Sequence, residues 1–189
     1  DTKDSARDVF INYRRRVGDD VVSNLVGSGV SEGFFKINPK VDKKLHVLFS
    51  QINSYNLDPS KLKKEKKEYI FLVRKLKDIV DLLSPEKQAR FAETYNTLIK
   101  LERQRVLGNS ISRAVDRRGD FKSRDLLKNW SRKTGELGAR FQKGEISKEE
   151  YFAELDKINE KAVEDTGDEE LSKLWQDYKE KNVSLYEDL

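Results

Sequence analysis

Chemistry in a protein needs nucleophiles, bases, metal ligands or clustered charge at workable spacing. The chain has one histidine, His46, and no cysteine. Without a thiol there is no thiolate nucleophile, no Fe–S ligation, no Cys-based zinc site and no disulfide frame. A Ser-His-Asp triad would have to pass through His46. That residue sits in Lys43-Lys44-Leu45-His46-Val47-Leu48-Phe49, which reads as an amphipathic helix and not as a catalytic turn. H-E-x-x-H, the G-x-x-x-x-G-K-[ST] phosphate loop, G-x-S-x-G and the Glu-x-x-His pairs of di-iron bundles are all missing. Carboxylates are plentiful, but their helical spacing is that of salt-bridged surfaces. Glu149-Glu150 belongs to Ser147-Lys148-Glu149-Glu150, a capping box in which Ser and Glu side chains satisfy each other's orphan backbone amides. The expectation is a non-enzymatic protein with no catalytic residue, no metal and no cofactor.

Charge carries more information. The net charge is only +4. Residues 103–143 hold 12 basic and 4 acidic side chains, whereas residues 144–189 hold 6 basic and 15 acidic ones. A basic middle followed by an acidic end gives the chain a directional field. Arg103, Arg105, Arg113, Arg117, Arg118, Arg124 and Arg132 dominate the middle, with Lys122, Lys128 and Lys133 among them. Guanidinium forks match phosphate or carboxylate with paired hydrogen bonds. Phe121 and Trp130 lie between them, as rings that could stack on unpaired bases. One reading is therefore nucleic-acid binding through 103–133. The competing reading is that these cations meet the acidic C-terminal helices of the same molecule. Arg14-Arg15-Arg16 adds a basic spot suited to an anionic membrane surface. Lys61, Lys63, Lys64, Lys66 and Lys67 are interleaved with Glu65 and Glu68, which is ordinary solvated helix chemistry.

The third candidate is a loop. Residues 27–39 read GSGVSEGFFKINP, too rich in Gly and Pro for a helix. Phe34, Phe35 and Ile37 are apolar residues in that loop. They either plug the end of a helical bundle or form an anchor for a protein partner, since loop aromatics make binding hot spots. Taken with the missing catalytic inventory, this favours a helical adaptor, scaffold or assembly factor that meets a macromolecular partner, most readily a protein, through charged helix faces and these loop aromatics. The nucleic-acid reading is the alternative.

The elements that must position these residues are helices. Of 189 residues, 38% are charged, against the usual ~25%, so long amphipathic helices with narrow apolar stripes are expected. Ala6, Val9, Phe10, Tyr13, Val17, Val21 and Leu25 recur at helical steps. A second helix should run from Pro39 to about Ser54. Asp58-Pro59 and Ser84-Pro85 each pair an N-cap with proline at the first helical position. They mark two long helices whose short joint forms an αα-hairpin over 59–107. Gly108 closes the second, leaving a short helical piece to Arg118. A further helix carries Phe121, Leu127, Trp130, Leu137 and Phe141 on one stripe and stops at Gly144. Two more follow, split by Asp165-Thr166-Gly167-Asp168. The expected fold is an all-α bundle of five to seven helices built around the long hairpin. Its expected division is 1–108 and 109–189. No run of ~18 apolar residues is present, so no transmembrane helix is expected. The start at Asp1 reads as a trimmed or processed chain, soluble in the cytoplasm or in an organelle interior.

Overall fold

The computed structural model describes Phe35 and residues 37–181. Among the described residues there are seven α-helices and no strand, so the protein is an all-α multi-helix bundle. They are α1 (Pro39–Leu57), α2 (Pro59–Lys64), α3 (Lys66–Asp81), α4 (Pro85–Arg118), α5 (Phe121–Gln142), α6 (Lys148–Thr166) and α7 (Glu169–Glu180). No helix of the described residues is long and apolar enough to cross a membrane. The expected helix of Ala6–Leu25, Arg14-Arg15-Arg16 and Phe34 lie outside the described residues.

Local chemistry sets most boundaries. Asn38 and Asp58 cap α1 and α2, their side chains accepting from the Val41 and Lys61 amides at 3.0 and 3.1 Å, with proline next to each cap. The predicted helix from Pro59 is broken at Glu65, whose non-helical backbone, φ −120° and ψ 37°, separates α2 from α3. The Ser84 hydroxyl accepts from the Lys87 amide and starts α4. Ser147 and Glu150 form the reciprocal capping box of α6. Gly167 ends α6 in the left-handed region at φ +61°, where a side chain would be strained.

The predicted stop at Gly108 is absent. α4 runs unbroken for 34 residues. One internal glycine costs a helix roughly 1 kcal/mol. Leu107 and Ile111, flanking it and both fully buried, offset more than that.

The molecule forms two compact units, and the division falls inside α4, between Arg103 and Gln104, and again after Lys179. Sequence punctuation had placed it at 108/109.

In the unit holding α1–α3 and the first half of α4, α1 packs along α3. Its centre is a ring cluster. Phe35 stacks on Phe91 at 4.4 Å and meets Phe49 edge-on at 5.9 Å, and Tyr95 closes against Phe49 and Phe91. Arg103, buried, donates from Nε to the Asn56 carbonyl at 3.2 Å and from Nη1 to the Lys181 carbonyl at 2.9 Å. The Lys181 ammonium lies 4.3 Å from the Tyr69 ring.

In the other unit, the second half of α4 joins α5, α6 and most of α7. The α5/α6 pair is an antiparallel hairpin: Phe141 faces Tyr151 near the joint, and Trp130 faces Asn159 further along. Lys179 bonds Glu160 at 2.9 Å and ties α7 to α6.

The packing of Phe35 changes its role: the ring is core, with no solvent exposure. Replacing Phe35 by Ala should destabilise the fold by about 3–5 kcal/mol, as buried Phe-to-Ala changes do. Urea unfolding followed by circular dichroism measures this, and an unchanged midpoint would contradict the placement.

Candidate functional site

The C-terminal unit presents a half-open groove of about 490 Å³ along the α5/α6 hairpin. α5 supplies the stripe Lys122, Leu126, Asn129, Trp130 and Lys133, at helical steps of three and four. α6 supplies Ile158, Lys161, Ala162 and Asp165 in the same rhythm, and Arg118 comes from the end of α4. Leu126, Ile158 and Ala162 give the floor its apolar part. Ile158 is half-exposed at the groove.

Beneath the floor lies a polar triad. Gln104 and Asn159 exchange amide hydrogen bonds, and the Trp130 indole N–H donates to Asn159 Oδ1 at 3.0 Å. All three residues are buried. Trp130 is therefore fixed by its neighbours and is no base-stacking platform. Phe121, by contrast, is 77% exposed. Phe121 was expected on the apolar stripe with Leu127 and Trp130. At 100° per residue it projects from the opposite side of α5, and the structure leaves it in solvent.

The fate of the basic segment is mixed. Arg103 is consumed by backbone carbonyls, as above. Arg117 bonds Asp168 through Nη2 at 2.7 Å and Nε at 3.2 Å. Arg118 donates to the Thr166 carbonyl at 2.7 Å, satisfying the end of α6, and approaches Asp120 at 3.4 Å. Arg132 is held by Glu136 and Asn129. Arg105 is half-buried and Arg113 exposed. On α5, Lys122 and Lys133 at the groove and Arg124 and Lys128 on the opposite side make no salt bridge among the described residues. Arg103 and Trp130 thus leave the nucleic-acid set that the sequence suggests, while the α5 cations remain together on one helix. Of the loop's apolar residues, Phe35 is in the core and Ile37 is half-exposed, its backbone N–H donating to Asp42 at 3.0 Å.

Two carboxylates hold the helix starts beside the groove. The Ser123 hydroxyl and backbone N–H, together with Arg118 and Lys122, keep the Asp120 carboxyl below the ordinary carboxylate value. Partial burial pushes Asp168 up, but the Leu171 and Glu170 amides and the Arg117 guanidinium outweigh it, so this carboxyl also titrates low. Burial pushes the Tyr151 phenol up, and its oxygen has no hydrogen-bond partner among the described residues. That environment keeps it neutral and unreactive. No group of three or more His, Asp or Glu among the described residues could hold a metal ion.

No protein-family model, no curated protein and no solved structure matches the chain. The site must be read from its own geometry.

Asn159→Ala should cost roughly 2–4 kcal/mol, because it strands the Trp130 N–H and the Gln104 amide in a buried setting. A chemical-denaturation curve tests this, and a loss below that of an exposed Asn would show the triad is not buried. A second expectation concerns acid. Both Asp120 and Asp168 have lowered folded values, so their stabilisation is complete above the ordinary value of 3.8 and is lost as pH falls through the lowered values. The stability gap between the native chain and D120N/D168N should be open near neutrality and close below about pH 4. Thermal melts across a pH series would show it. A gap that persists unchanged into strong acid would contradict it.

Proposed function

We propose that the protein is a non-enzymatic helical binding protein, an adaptor or assembly factor, whose α5 face docks an acidic surface of a partner protein. One observation carries this: Lys122 and Lys133 on the groove side of α5, and Arg124 and Lys128 on its opposite, exposed side, form no salt bridge among the described residues, while nearby Arg117, Arg118 and Arg132 are all engaged. Like charges gathered on one helix with no internal partner repel one another, which an acidic partner relieves. Such complementarity also speeds encounter and selects partners.

A second reading, nucleic-acid binding, is favoured by one observation of its own. Phe121 is exposed at the start of the same helix, and an exposed ring beside cations suits single strands. Against it stand Asp125 and Glu136, carboxylates on the same helix as the cations.

Affinity capture from cell extract, with the native chain and with R124E/K128E as parallel baits, tests the first reading. Acidic proteins should be retained by the native chain and lost by the variant, with far-UV circular dichroism unchanged. Equal capture by both baits would sink it. So would a captured pool that disappears on nuclease treatment and shows the steep salt dependence of phosphate release.

A further inference from the structure

We propose that the α5/α6 groove seats about three turns of an acidic amphipathic helix from the partner protein, a deeper statement that rests on the protein-binding reading above. The length comes from α5. Lys122 and Lys133 lie eleven residues apart on the groove stripe, which spans ~16 Å at 1.5 Å per residue, or about three helical turns.

The charge pattern follows from what is already paired. Arg118 is held by Thr166 and Asp120, and Lys161 bridges Asp165 at 3.4 Å. That leaves one cation without a salt bridge near each end, Lys122 and Lys133, with the apolar Leu126, Ile158 and Ala162 between them. The complementary ligand carries a carboxylate at each end and apolar side chains along one stripe in the middle. On a helix, that means acids eleven residues apart with apolar residues four and seven positions on from the first. Two antiparallel helices with an apolar valley receive such a rod by the ordinary packing of helix in groove.

A nucleic-acid strand fits this groove less well. Its phosphates repeat at every nucleotide, so some would fall against Asp125 and Asp165, which also line the groove. A peptide helix sets its carboxylates only where cations wait.

The test uses the full chain and a fluorescent, helix-stapled peptide of about 15 residues with Glu eleven apart and Leu on the facing stripe. The controls are a scrambled peptide of the same composition and a single-stranded RNA of equal charge. In fluorescence anisotropy at physiological salt, the patterned peptide should bind about tenfold or more tighter than the scrambled one. K122E and K133E should each weaken it about tenfold, and a peptide with Lys at the matching position should regain binding to that variant alone. K133Q, gentler at a half-buried site, should show a smaller loss, and circular dichroism verifies that each variant is folded. Equal binding of patterned and scrambled peptides, or no rescue by the charge-swapped peptide, would overturn the helix seat while leaving the charge-based docking of α5 standing. Tighter binding of the RNA than of either peptide would overturn both.

Discussion

Between Phe91 and Val115, α4 buries side chains around most of its circumference, including Tyr95, Leu98, Ile99, Leu101, Leu107 and Ile111. A helix that buries side chains on several of its sides must be met by other elements on those sides. In a chain where 38% of residues are charged, that demand falls on few apolar side chains. The aromatic cluster at Phe35, Phe49, Phe91 and Tyr95 answers it in one unit. Leu127, Leu155 and Leu171, all buried, answer it in the other. Thr94, Thr97, Gln104 and Ser112 are buried on the same helix, so its environment is not purely apolar. Gln104 is accommodated by closing hydrogen bonds with Asn159, which also accepts from Trp130, whereas the buried Ser112 hydroxyl has no hydrogen-bond partner among the described residues.

The arginines show how position separates residues of one type. Arg103 is buried and satisfied by two backbone carbonyls. Removing only the guanidinium would leave those carbonyls without their donor, so the group is structural although its charge invites a functional reading. Arg117 and Arg118 sit at the end of α4, where a cation meets the partial negative charge of the helix terminus. They also reach Asp168 and Thr166 at the α6–α7 turn. Part of the basic segment therefore does meet the acidic C-terminal helices. Arg124 and Lys128, a few residues later on the open face of α5, have nothing to meet within the described residues. The difference lies in which way each residue points from its helix.

The groove follows from the α5/α6 hairpin. A five-residue joint between Gln142 and Lys148 holds the two helices antiparallel. The large Trp130 is buried by its bond to Asn159 instead of filling the valley. Small Ala162 and half-exposed Leu126 and Ile158 are left to form the floor. Helix starts on either side are pinned by Asp120 and Asp168, whose carboxyls remain ionised because amides and cations surround them.

Read alone, the sequence determined the helical class, the caps at Asp58, Ser84 and Ser147, and a break around Gly167, because periodicity and capping are local properties carried by neighbouring residues. It also exposed the concentration of positive charge in 103–143. Tertiary structure decided the rest. Helix continuity through Gly108 depends on the burial of Leu107 and Ile111, which no local signal contains. Phe35 became core and Phe121 solvent-exposed because burial depends on what packs opposite, and two phenylalanines near helix starts look alike in a string of letters. The groove needed Lys161 and Asp165 from a second helix beside Lys122 and Lys133. Distance along the chain says nothing of that juxtaposition, which the antiparallel packing of α5 and α6 alone creates.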